Sequence, residues 1–120
     1  MLDVKKTLAK LIGMMPYIST LATNVTMLRF GLYRIIHFND ATGSAINGIT
    51  LATTDRPSAD EKAIGLKRNS SLGTPQLGMV VVRYATGKIN PYYSATYGAN
   101  LSVLGSTDVI TASLFYKVGE

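Results

Sequence analysis

The spacing of apolar residues changes character once along the chain. Val4, Leu8, Leu11, Met15 and Ile18 lie four, three, four and three residues apart. That spacing keeps side chains on one stripe of a helix and, when repeated, forms the seam of a coiled coil. Asp3 is placed to cap the first turn, and Lys5, Lys6, Thr7 and Lys10 fall on the opposite face. Gly13 weakens the helix, and Pro16 has no amide to continue its hydrogen-bond ladder. The pattern therefore predicts a helix trusted from Val4 to Met15, with residues 14–24 forming a collar. A helix below roughly 12–15 residues is marginal in water by itself. Val4, Leu8, Leu11 and Met15 are accordingly expected to be oligomerisation residues.

From Thr26 onward the period shortens to that of strands. Residues 26–30 and 32–38 read as two strands around Gly31, and residues 39–44, rich in Asn, Asp and Gly, as a loop. Short strands are expected at 49–52 and 62–67, with a loop at 53–58 punctuated by Pro57 and another at 69–76. Residues 77–84 are strongly β-prone, 85–88 turn, and 89–93 return as a hairpin. In the last strand, 109–118, Ile110, Ala112, Leu114, Tyr116 and Val118 share one face, while Thr111, Ser113 and Lys117 share the other. Short strands with turn signals every 8–12 residues indicate a mainly β fold, an antiparallel β-sandwich of jelly-roll type. The expected division is 1–24, a trimerisation helix and collar, and 25–120, a β-sandwich head.

At 120 residues the chain has the length of one domain, and 47% hydrophobic with 16% charged residues excludes a disordered tail. Seven Tyr, eleven Gly and no Trp suit a turn-rich β fold; without Cys, disulfides, thiolate metal sites and thiol chemistry are ruled out. The net charge of +5 favours acidic partners, but no dense basic run interleaved with aromatics marks a nucleic-acid groove. Lys5 and Lys6 ahead of an apolar stretch resemble a secretory signal, yet Lys10, Gly13 and Pro16 interrupt it, so an assembly helix is the expectation. The stretch is also too short to span a membrane.

Candidate chemistry is sparse. His37, the single His, lies between Ile36 and Phe38 in a strand, where a structural role is expected. Six of the seven acids fall near turns or ends; Asp40 and Asp55 are the one pair considered for sugar hydrolysis. The chain has no nucleophile elbow, P-loop or G-x-G-x-x-G, so neither catalysis, metal nor cofactor is expected. Tyr92, Tyr93 and Tyr97 sit among Ser, Gly, Ala and Asn, the composition of adaptable binding loops. Together with Asp40 and Arg56 they are the candidate ligand contacts. The alternative at this point is that Tyr92 and Tyr93 alternate in a strand, one ring inside and one on the surface.

Several segments carry a resemblance: Met1-Leu2-Asp3-Val4-Lys5-Lys6-Thr7-Leu8-Ala9-Lys10-Leu11, Arg29-Phe30-Gly31-Leu32-Tyr33-Arg34-Ile35-Ile36, Asp55-Arg56-Pro57-Ser58, Thr86-Gly87-Lys88-Ile89 and Ser113-Leu114-Phe115-Tyr116-Lys117-Val118. In order and spacing they resemble the heads of tail-fibre or baseplate receptor-binding proteins from phages and prophages of Gram-positive bacteria. The Trp residues common after the helix in such proteins are missing, and Pro16 cuts the stalk short. The resemblance implies a virion protein made without a signal peptide, a homotrimer attached to other tail or baseplate proteins, binding a cell-wall saccharide of the host without chemistry. Two rival expectations are a secreted carbohydrate-binding module and a purely structural tail or capsid-decoration protein.

Overall fold

The computed structural model describes residues 4–5, 16–69, 73–93 and 103–119. Seven antiparallel strands form one hydrogen-bonded sheet: β1 (Tyr17–Ala22), β2 (Val25–Phe30), β3 (Tyr33–Thr42), β4 (Glu61–Arg68), β5 (Gln76–Val82), β6 (Ile89–Tyr92) and β7 (Val109–Lys117). Their order across the sheet is β1-β2-β3-β7-β4-β5-β6, and the sheet curls into a half-barrel. The expected mainly β, antiparallel character is therefore present. The described strands make one curled layer, where the sequence pattern led us to expect the two layers of a sandwich.

The reason lies in what fills the concave side. Met27, Ile36, Phe38, Ile110, Leu114, Val80 and Val82 point into it from four strands and are completely or almost completely buried. Among the described residues no second sheet covers them. The connection from β3 to β4 carries Ile46, Ile49 and Leu51 into the same core. It begins with a five-residue helix, α1 (Gly43–Asn47), capped by the Thr42 hydroxyl, which accepts from the Ala45 amide at 3.1 Å. Residues 49–52, expected to be a strand, supply a single bridge between Thr50 and Lys88 and pass into a 3-10 turn at Thr53–Asp55. Ile49 and Leu51 are buried all the same. Alternation of apolar residues thus reported burial correctly without reporting a ladder.

Turn chemistry sets the registers. Gly31, at φ +58°, and Leu32 join β2 to β3 in a two-residue hairpin that pairs Phe30 with Tyr33. Thr23 and Asn24, the latter at φ +63°, join β1 to β2. Strand β1 occupies residues read from the sequence as a collar, and its partner β2 is the expected strand at 26–30. Val4 and Lys5 are helical and exposed; Leu8, Leu11 and Met15 lie outside the described residues. The final strand alternates as expected: Ile110, Ala112, Leu114, Tyr116 and Val118 are all buried on the concave side.

Candidate functional site

The residues singled out in the sequence separate onto two ends of the half-barrel. Asp40 sits at a bulge where β3 and β7 slip register, between the pairs Phe38–Ala112 and Ala41–Ile110. Its backbone is left-handed, at φ +47°. The Thr111 hydroxyl accepts from the Asp40 amide and donates to the Asp40 carboxylate, both at 3.0 Å. At the other end, Asp55 lies beneath Tyr116, whose hydroxyl donates to the Asp55 carbonyl at 2.5 Å. Thr111 and Tyr116 are five residues apart along β7, about 16 Å of strand. Asp40 and Asp55 are thus anchored to different ends and do not form the carboxylate pair considered for glycoside cleavage, which requires a separation of roughly 5–9.5 Å.

Asp55 organises a buried ionic cluster. Oδ1 accepts from Arg34 Nε at 2.8 Å and Arg29 Nε at 3.1 Å, and Oδ2 accepts from Arg29 Nη2 at 2.9 Å. Burial alone pushes the Asp55 carboxyl up, but the hydrogen bonds and charges of Arg29 and Arg34 outweigh it and hold the carboxyl below its ordinary range. The same bond raises Arg29. Arg34 also donates to the carbonyls of Gly31 and Tyr33, both at 2.8 Å, and Arg29 donates to the Ser19 hydroxyl. Every polar group here has a partner, so the cluster ties β1, β2, β3 and the 53–58 segment together. Arg56 is likewise engaged: its Nε donates to the Leu51 carbonyl at 3.1 Å, against Gly87.

The tyrosines divide as well. Tyr92 is buried on β6, and its hydroxyl accepts from Arg83 Nη2 at 2.6 Å. Tyr93 is half-buried, its hydroxyl donates to Asp108 and accepts from the Gly105 amide, and Lys67 Nζ lies 4.6 Å from its ring centre. The bond to Asp108 raises the Tyr93 hydroxyl above its ordinary pKa. Both rings are committed to packing inside the molecule, one in a strand and one against a loop. Tyr97 lies outside the described residues. His37 faces outward on β3 and pairs with Ser113 Oγ at 2.9 Å.

Two surface features had no counterpart in the sequence reading. The first is a shallow cleft of about 240 Å³ lined by Asp60, Glu61, Lys62 and Val81. Pairing of Glu61 with Val82 and Lys62 with Val81 brings this charged run beside the β5–β6 turn. There the Tyr84 amide donates to Asp60 Oδ1 at 3.0 Å, and the Tyr84 side chain is half exposed. Arg83 braces the site, donating to Asp60 Oδ2 at 3.1 Å and Asn90 Oδ1 at 2.9 Å. The only local signal was the run Asp60-Glu61-Lys62 itself, which reads as an ordinary solvated turn until the hairpin is placed beside it. The second is an apolar groove of about 440 Å³ on the convex face, lined by Pro16, Leu28, Phe30, Tyr33, Ile35 and Phe115. Among the described residues, no three His, Cys, Asp or Glu are grouped to hold a metal ion. Comparison with family models, curated proteins and solved structures returns no match.

Proposed function

We propose that this chain is a non-enzymatic phage or prophage virion protein, a homotrimeric tail-tip adhesin whose head binds a host cell-wall saccharide. The observation that carries the reading is the cleft of Asp60, Glu61 and Lys62 beside half-exposed Tyr84. Carboxylates accept from sugar hydroxyls, an ammonium donates to ring and hydroxyl oxygens, and a tyrosine ring offers a flat apolar face. The cleft is open and shallow, which suits a polymer passing across it. The segments quoted above for their resemblance to receptor-binding heads support the same assignment, and three weak sites on one trimer gain roughly 10² or more in avidity. In this reading the half-barrel supplies one layer of a jelly-roll-like head, and other tail proteins hold its N-terminal end.

The test uses cell-wall saccharides released from a panel of Gram-positive strains and printed as an array. The full chain binds a subset, and Glu61→Gln with Tyr84→Ala lowers that binding at least tenfold while the fold is kept. Asp60 is left intact because it anchors Arg83. Unchanged binding by the double variant removes the cleft, and no binding to any saccharide leaves the structural tail or decoration protein in place of the adhesin.

A further inference from the structure

The convex face of the sheet carries an apolar row that runs across four strands in register: Ile18 on β1 pairs with Leu28 on β2, Leu28 with Ile35 on β3, and Ile35 with Phe115 on β7. Phe30 and Tyr33 flank the row as the next cross-strand pair, and Tyr33 stacks on Phe115 with ring centres 5.6 Å apart. Ile18 is 69% exposed, Phe115 62%, Phe30 49% and Tyr33 43%. These four alone present on the order of 500 Å² of apolar surface, near the upper limit for the largest patch of a monomer. None of the six residues carries a charge, although the chain as a whole carries a net charge of +5. The concave face, by contrast, is filled by the chain's own side chains.

We infer that this face is covered by a second copy of the same chain. The row itself is uncharged, with Lys117 at its rim opposite Tyr33, so two basic chains that meet there bring few like charges together. Position adds to the argument. Pro16, where residues 1–15 join the sheet, lines the groove. Val4, the one described residue of the four expected to mediate oligomerisation, is helical and 70% exposed, so that side chain is not covered by the chain's own sheet. A standard interface needs about 800 Å² per partner. The row supplies more than half of that. Association thus buries the row of each subunit against neighbouring copies gathered around one axis. The inference deepens the proposed trimer by assigning its contact surface, and it does not depend on saccharide binding.

Sedimentation equilibrium of the full-length chain at micromolar concentration tests it. The parent chain is expected as an oligomer, and Phe115→Asp and Ile18→Asp, both at exposed positions, as folded monomers with unchanged far-ultraviolet circular dichroism and an apparent dissociation constant raised at least 100-fold. Leu77→Asp, equally exposed on β5 but outside the row, keeps the oligomer. A monomeric parent chain overturns the inference, as does an oligomer that survives both row substitutions or dissolves equally with Leu77→Asp. Loss of array binding with the oligomer intact counts against the adhesin alone.

Discussion

Asp55 is 7% exposed and faces two guanidinium groups, which meet its charge in place of most of the water. Removing one member of such a cluster strands the others in a medium that solvates them poorly. Asp55→Asn is expected to cost about 3–5 kcal/mol, read from urea denaturation at pH 7. The same contacts fix the pH response. Because the folded carboxyl lies below its ordinary value, its contribution is complete above about pH 4, the range of an unfolded Asp, and is lost as pH falls through the lower folded value. Stability of the parent chain should fall on acidification below about pH 4, with the Asp55→Asn chain losing less over that interval. Tyr116 acts on the alkaline side. Burial first, then the Asp55 charge, raises its hydroxyl, so its contribution is complete below about pH 10 and lost as pH rises beyond. Tyr116→Phe should flatten that alkaline loss while leaving the Asp55 carbonyl short of a donor, at about 1–2 kcal/mol at pH 7.

At the scale of elements, β4 joins β7 to the β5–β6 hairpin. Its last three residues pair with β7 through Leu66–Thr111, Lys67–Ile110 and Arg68–Val109, while Glu61 to Lys67 pair with β5. Gly65 stands where the β7 ladder ends. A Cβ built there would lie 2.2 Å from the Thr111 carbonyl oxygen and 2.6 Å from Ala112 Cβ, so backbone would have to give way. Gly65→Val is expected to destabilise by roughly 1–3 kcal/mol through overpacking, measurable by thermal or urea unfolding. Glycine in the middle of a strand reads from sequence only as a weakness, and the close approach of β7 is what gives it a purpose. Six of the seven strands were legible because period-two alternation and Gly or Asn turns are local signals. Strand β1 was not: Tyr17-Ile18-Ser19-Thr20-Leu21-Ala22 follows a helical stripe and exposes both faces, so neither period dominates. Helix α1 was hidden because Asn39–Ser44 carries turn residues that serve a bulge and a cap.

At the scale of the molecule, the net charge of +5 per chain acts over distances set by salt rather than by shape. If the head approaches anionic wall polymers, cell-wall association rates should fall severalfold between about 0.01 M and 1 M salt, as the screening length shrinks from about 30 Å to 3 Å. Association of copies through the apolar row of the convex face should hold or strengthen over the same range. Light scattering and cell-wall binding in one salt series therefore read the two interactions separately. What the chain's own pattern determined was the β class, the faces of the long strands and the burial of Ile49 and Leu51, since alternation and turn residues act over a few positions. Tertiary structure alone decided that one curled sheet closes its core with the 43–58 connection, that Asp40 and Asp55 part to opposite ends of β7, and that Tyr92 and Tyr93 turn to Arg83 and Asp108. Those outcomes depend on which distant strands become neighbours, and residues far apart in sequence carry no local mark of the partner they will meet.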